Sequence, residues 1–353
     1  NLIGKIPLGK RDLLSTRMDW LAFDIGGANL KAADGLGFAL SRPFPLWKQP
    51  RDLPAALARI LADSPPAKAL AVTMTGELAD CFSTKAEGVW AILDAVTVAA
   101  GRRAVHVYRI DGSWASPAAA ASEPLLAAAS NWLALTQFAG RYAAHGVGLV
   151  VDVGSTTCDI VPLDEGNPSP WGRTDLERLA SGELVYTGVQ RSPLCALASH
   201  VPWRRRQMPT AQEVFATSLD VYLVLEDLPE EPENTHTADG RAATIEAAHD
   251  RLARSICGDR TLIERSETLA IARFVAEAQL RTVVHAAKRV VGRMSALPRT
   301  VVISGQGEFF ALRVVRRLGF ASEVISLGKE LGPNVSQAAT AHALAVIARK
   351  NEP

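Results

Sequence analysis

Two segments of this chain carry the same local pattern, and few folds accommodate it twice. Leu21-Ala22-Phe23-Asp24-Ile25-Gly26-Gly27-Ala28-Asn29-Leu30-Lys31 is the first, and Leu149-Val150-Val151-Asp152-Val153-Gly154-Ser155-Thr156-Thr157-Cys158-Asp159-Ile160-Val161 the second. Each reads as an apolar run, Asp, one apolar residue, Gly, small polar residues, then a return to apolar character. This pattern predicts a β-hairpin whose outgoing strand carries Asp at its end and whose turn is glycine-built. Two such hairpins facing each other enclose a cleft with two carboxylates and two rows of backbone N–H groups. Such N–H groups bind phosphate oxygens, and paired carboxylates suit a magnesium ion. The expectation is a two-lobed, phosphate-handling protein.

A chain of 353 residues is long enough for two domains with a large core. Its net charge of +1 supplies no broad field for nucleic acid or a membrane surface, so Arg204-Arg205-Arg206 reads as a solvated loop. Cys81, Cys158, Cys195 and Cys257 have neither CxxC spacing nor neighbouring His pairs. That argues against structural zinc and fits a reducing, cytoplasmic setting. No window reaches the roughly 18 consecutive apolar residues of a membrane span. Asn1 to Arg17 are basic and patternless ahead of Met18, without the apolar centre of a secretory signal. They read as an appended leader outside the fold.

Along the chain, periodicity predicts the first hairpin over Asp19–Ala33, a helix over Leu53–Ala62, a buried strand over Ala67–Thr75 and a helix over Gly88–Ala100. A strand over Ala104–Arg109 and one long apolar helix over Glu123–Ala144 lead into the second hairpin. Helices dominate Ala243–Leu297, after an acidic loop over Leu228–Arg241. Strand Thr300–Ser304, helix Glu308–Leu318, strand Val324–Leu327 and an Ala-rich helix over Ser336–Arg349 close the chain. Hairpins alternating with helices, twice over, imply an α/β protein of two related lobes. The first lobe is expected over 18–145 plus 335–353, and the second over 146–334 with a helical insertion.

The order of these motifs resembles the actin, sugar-kinase and heat-shock-70 ATPase superfamily, whose two ribonuclease-H-like lobes face a cleft. Asp24 to Lys31 resembles its first phosphate motif, Asp152 to Asp159 its second, and Val302-Ile303-Ser304-Gly305-Gln306-Gly307 its adenosine motif. Glu123 to Ala129 and Asn334 to Ala345 resemble its connecting helices. A narrower likeness rests on Thr73 to Phe82 with Lys85 and Glu87-Gly88-Val89, on Tyr186 to Leu194, on Thr217 to Tyr222 and on Thr237 to Arg241. These resemble a hydantoinase/oxoprolinase-like subgroup linked to tetrahydromethanopterin-dependent one-carbon metabolism. The resemblance implies a transferase of methanofuran or methylofuran biosynthesis. Such an enzyme joins an aminomethylfuran-methyl diphosphate to the phenol of a tyramine- or tyrosine-type substrate and releases diphosphate.

That chemistry needs a base for a phenol of pKa near 10 and a sink for the charge developing on diphosphate. On this reading Asp24 and Asp152 hold Mg²⁺, and Gly26, Gly27, Asn29, Gly154, Ser155, Thr156 and Thr157 contact phosphate. The alternative for the glycines is plain hairpin geometry. Lys31 is either a phosphate ligand or an exposed strand lysine. Glu77 and Asp80 follow a buried strand, where α/β folds place chemistry, and one of them is the expected base. Thr75, Lys85, Asp159, Arg191, Arg241, Gly305 and Gly307 are expected around the substrate, with surface pairing the competing reading for the arginines. The partners are then small molecules, with neither nucleic acid nor membrane; the apolar run from Thr282 to Val291 reads as internal core, with a homo-oligomer contact as the alternative. Two other readings stay open. One is an ATP-dependent kinase or ATP-coupled hydantoinase-like enzyme, and the other a nucleotide-binding actin-like module.

Overall fold

The computed structural model describes residues 19–351, so the leader reading lies outside the described residues. The first hairpin forms β1 (Trp20–Ile25) and β2 (Asn29–Ala33), followed by β3 (Ala39–Pro43), β4 (Ala69–Met74), β5 (Ala104–Tyr108) and β6 (Trp114–Ala115). They make one sheet in the order β3-β2-β1-β4-β5-β6. The pairs β1–β2 and β2–β3 are antiparallel, whereas β1–β4 and β4–β5 are parallel. The second hairpin forms β7 (Val147–Val153) and β8 (Cys158–Asp164), then β9 (Asn167–Pro168) and β10 (Leu184–Val185). A separate hairpin of β11 (His200–Trp203) and β12 (Arg206–Pro209) precedes β13 (Thr300–Ser304) and β14 (Glu323–Ser326). The second sheet runs β10-β8-β7-β13-β14, again antiparallel on the hairpin side and parallel beyond β7. The two sheets therefore repeat one topology, and the chain has the two-lobed, ribonuclease-H-like α/β architecture of the actin, sugar-kinase and heat-shock-70 ATPase type.

The helices are α1 (Leu53–Ala62), α2 (Lys85–Ala100), α3 (Pro117–Ser122), α4 (Pro124–Ala127), α5 (Asn131–Ala139), α6 (Asp175–Ser181) and α7 (Leu194–Leu197). Then come α8 (Ser218–Val224), α9 (Ile245–Arg254), α10 (Arg265–Val291), α11 (Glu308–Leu318), α12 (Leu327–Ser336) and α13 (Ala339–Asn351). One face of the first sheet packs on α1 and α2 through Leu57, Ile60, Ile92 and Val96. One face of the second packs on α10 and α11 through Ile271, Val283, Phe310 and Val314. The inner faces share α5 and α13. Trp132, Leu135 and Phe138 of α5 meet Val150 and Val161, while Leu344, Ala345 and Ala348 of α13 meet Trp20, Ala22 and Ala71. Alanines on α13 and on the first sheet let this contact close tightly. No described helix is long and apolar enough to cross a membrane.

One expected element is corrected. The helix over Glu123–Ala144 is broken between α4 and α5, and a 3₁₀ turn over Gly140–Tyr142 ends it. The cause is Ser130, whose hydroxyl bonds Thr73 Oγ1 at 2.7 Å and donates to the Tyr108 carbonyl at 2.8 Å. Holding Ser130 on two strands forces Ala129 to φ +49°, which no helix continues through.

Candidate active site

The duplicated topology puts Asp24 and Asp152 at equivalent places, near the ends of β1 and β7. In each hairpin a charged residue stands directly across the ladder, Lys31 opposite Asp24 and Asp159 opposite Asp152. In each sheet a hydroxyl residue stands beside the Asp on the neighbouring parallel strand, Thr73 in one and Ser304 in the other. Opposed residues of an antiparallel pair share a face, so the two hairpins differ in electrostatics. Lys31 Nζ lies 3.5 Å from Asp24 Oδ2, a compensated pair. Asp152 faces a like charge instead. Burial raises its pKa to about 7, and Asp159 pushes in the same direction, while the Lys31 ammonium acts on it from the other lobe. Asp24 is also raised by burial, with Lys31 opposing, and its Oδ1 is buried without a partner.

Both turns are tight. Gly26 N–H donates to the Asn29 carbonyl at 3.0 Å, and Gly154 N–H to the Thr157 carbonyl at 2.9 Å. The second turn is held from behind by a strap. The N–H groups of Val189, Gln190 and Arg191 donate to the carbonyls of Gly154 and Ser155 at 3.0–3.1 Å. Gly188 allows the approach, since a Cβ there would lie 2.5 Å from the Gly154 carbonyl oxygen.

A cavity of about 410 Å³ joins the two turns. Its walls include Gly26, Gly27, Asn29, Lys31, Thr75, Gly154, Ser155, Thr156 and Thr157, as expected from sequence, together with Asp24, Glu77, Asp80, Asp152, Asp159 and Arg191. Glu77 sits in a 3₁₀ turn after β4 and is fully buried. Burial raises its pKa to about 7, the Lys85 ammonium draws it partly back, and its Oε2 has no partner. Asp80, the other expected base, is exposed at the rim. Arg191 reaches across the cleft, with its guanidinium 4.9 Å from the Trp47 ring of the first lobe.

Four expected site residues are placed otherwise. Arg241 lies outside this cavity, bonding Asp239 at 2.7 Å and Asp250 at 2.9 Å in an ion-pair network on α9. Lys85 is outside the lining and donates to Asp175 Oδ2 at 2.6 Å. Gly305 and Gly307 do not line it either. They let the loop after β13 lie on β7, where a Cβ on Gly305 would fall 2.2 Å from the Val153 carbonyl oxygen and one on Gly307 2.5 Å from Val153 Cγ1. Gly305 also has φ +91°. Gly305→Ala is therefore expected to lower stability by about 3 kcal/mol or more and to displace the end of β7, which urea unfolding measures.

Other cavity residues were missed. Arg178 on α6 is buried, donates to Asp159 Oδ1 at 2.8 Å and stacks its guanidinium 4.0 Å from the Trp132 ring. Asn131, Trp132, Asp175 and Tyr186 line the cavity too.

The donor set bears on a metal. The wall carries six carboxylates (Asp24, Glu77, Asp80, Asp152, Asp159, Asp175) against three cations (Lys31, Arg178, Arg191). An anionic phosphate ligand entering so acidic a cavity needs a cation with it. The unpartnered Asp24 oxygen and Asp152 suit Mg²⁺, which keeps several waters and takes one or two carboxylates. Among the described residues no cluster of three or more His, Cys, Asp or Glu has the arrangement of an all-protein metal cage.

Comparison with known proteins follows the same lines. The chain is 31% identical over 333 residues to the (4-{4-[2-(gamma-L-glutamylamino)ethyl]phenoxymethyl}furan-2-yl)methanamine synthase of Methanocaldococcus jannaschii, covering 94% of this chain and 97% of that protein. The synthase of the same name from Methanococcus vannielii is 30% identical over 206 residues, 58% of this chain and 91% of that one. A nucleotide-free acetone carboxylase structure superposes with a TM-score of 0.56 at 10% identity, over 93% of this chain and 70% of that chain, a likeness of fold. The hydantoinase/oxoprolinase family model matches residues 68–350. On the span of that match and the full-length identity, the chain belongs to the hydantoinase/oxoprolinase family.

Proposed function

We propose that this chain is a transferase of methanofuran or methylofuran biosynthesis, supporting tetrahydromethanopterin-linked one-carbon metabolism. It condenses an aminomethylfuran-methyl diphosphate with the phenol of a tyramine- or tyrosine-type substrate, forming an ether and releasing diphosphate. The observation that carries this reading is the identity, over 94% of the chain, to a synthase named for a phenoxymethylfuran amine. The geometry suits it. The bond from the furan-methyl carbon to diphosphate oxygen breaks, and the leaving group takes the electron pair. The phenol oxygen bonds to that carbon, and Glu77 accepts the phenol proton. A base titrating near 7 is well matched to proton transfer at neutral pH. The N–H rows of both turns, with Lys31, receive the charge that develops on diphosphate. Asp24 and Asp152 would hold Mg²⁺, which would neutralise part of that charge. Arg191 and Trp47 bridge the lobes at the cavity wall and exclude water from the reacting carbon.

The test supplies both substrates and follows ether by mass spectrometry and diphosphate by a coupled assay. Ether and diphosphate in equal amounts, without ATP, are expected. Phosphoryl transfer from ATP with no ether would overturn the reading. Asp152→Asn is expected to lower kcat/KM about 100-fold or more and to weaken Mg²⁺-diphosphate binding in calorimetry.

A further inference from the structure

The ion pair between Lys85 and Asp175 crosses the cleft. Lys85 is the first residue of α2 in the first lobe, and Asp175 the first of α6 in the second. Nζ and Oδ2 are 2.6 Å apart, and both side chains are about three-quarters buried, with 26% and 21% exposed. Lys85 is fixed relative to Glu77. Gly88, one turn further along α2, packs so closely that a Cβ would fall 2.2 Å from the Glu77 carbonyl oxygen. Thr84 caps this helix start by accepting from Glu87 N–H at 3.1 Å. Asp175 is fixed to the other lobe, since the capping box at Thr174 anchors α6 and Arg178 of the same helix is tied to Asp159. Asp80 on its own loop, Asp24 and Lys31 on the first hairpin, and Arg178 on α6 line the same cavity as Glu77. Both charges of the bridge act on its carboxyl, Lys85 lowering its proton affinity and Asp175 raising it.

We infer that the Lys85–Asp175 bridge couples lobe closure to the strength of the base. With the lobes together, Asp175 neutralises Lys85 and Glu77 is a strong base. With the lobes apart, Asp175 leaves with α6, Lys85 stays beside Glu77, and the base is weakened until substrate closes the cleft. Asp175 is thus a positioning residue that acts through Lys85, and the inference rests on Glu77 being the base of the proposed reaction.

The two partners of one ion pair must then act in opposite directions. The experiment measures melting temperature against pH with and without Glu77→Gln, in wild type, Asp175→Asn, Lys85→Met and the double variant. The difference within each background titrates Glu77 without any substrate. The midpoint is expected to fall by roughly 0.5–1 in pH in Asp175→Asn, to rise by a similar amount in Lys85→Met, and to return near wild type in the double variant. The kcat/KM profile for ether formation is expected to move the same way. A purely structural bridge would lower melting temperature in both single variants and leave the midpoint in place, which overturns the inference. So do shifts of the same sign. Opposed midpoint shifts in the two single variants, together with a wild type that makes no ether, would uphold the bridge's control of Glu77 and overturn the reaction instead.

Discussion

Glu77→Gln is expected to lower kcat/KM for ether formation by about 10²- to 10⁴-fold while making the protein more stable above neutral pH. The two effects share one cause. Glu77 is fully buried, one carboxylate oxygen has no partner, and its pKa stands at about 7 against an ordinary value of 4.5. The folded chain therefore holds a proton on this group across a pH range in which the unfolded chain has lost it. In that range stability falls as pH rises, because the folded state binds more protons. The cost begins near pH 4.5, grows to about pH 7 and is constant above, on the order of 3 kcal/mol. Gln carries no charge to desolvate and lacks this dependence. Melting curves at pH 5 and pH 8 check the sign: the advantage of Glu77→Gln over wild type is small at pH 5 and largest at pH 8. Asp24, Asp152 and Asp159 are also raised by burial, but they are present in both proteins and cancel in the difference. A variant that is inactive and less stable at pH 8 would make Glu77 a structural residue. In wild type this titration contributes about a tenfold rise in kcat/KM per pH unit below 7, levelling off above.

The hairpins were legible because their signal is local. Asp, one apolar residue and Gly at a strand end specify the turn, and repetition of the turn specified two lobes. Helix Leu53–Ala62, strand Thr300–Ser304 and helix Glu308–Leu318 follow from periodicity alone. The break at Ala128–Ser130 was not legible, since every residue from Leu125 to Ala129 favours helix and only Ser130's bonds to Thr73 and Tyr108, both distant in sequence, stop it. Edge strand β3 is half-exposed and ends in Arg42 and Pro43, with no alternation to mark it. At the site, the residues carried on the turns could be found from the turns. Arg178 could not, because a buried arginine in a short capped helix looks like a surface one until Asp159 and Trp132 are brought to it. Arg241 failed for the converse reason. A glycine-flanked arginine suits an anion site and an ion-pair network equally well, and here Asp239 and Asp250 claim it. Gly305 and Gly307 carry a glycine signal that is real but spent on closeness to β7.

Arg178→Met is expected to destabilise the second lobe by about 3–5 kcal/mol at pH 8, with much of the loss restored by adding Asp159→Asn. Arg178 is 1% exposed and ties three elements together. Its Nη2 donates to Asp159 Oδ1 on β8 and to the Glu183 carbonyl before β10, and its plane lies on Trp132 of α5. Methionine keeps most of the packing volume and removes the charge. Asp159 is then left buried without its cation, and a lone buried carboxylate is what makes breaking such a pair costly. Burial already raises the Asp159 pKa against the opposing pull of Arg178, so its loss raises it further. The variant folded state thus binds a proton that the unfolded state releases near 4, and its stability falls as pH rises from there. The deficit against wild type is smallest in mild acid and largest at pH 8. Asp159→Asn removes the stranded charge, so the double variant recovers most of the stability and loses the extra pH dependence. Asp159→Asn alone leaves Arg178 without its carboxylate partner. Urea unfolding of the four proteins at pH 5.5 and pH 8 completes the cycle, and a coupling energy near zero would mean that the pair adds nothing beyond packing. The cycle also reaches the chemistry. Asp159 stands opposite Asp152 across the hairpin and helps hold its pKa near 7, so the double variant, with that charge gone, keeps Asp152 ionised to lower pH. Mg²⁺-diphosphate binding by the double variant should then persist further into acid than in wild type.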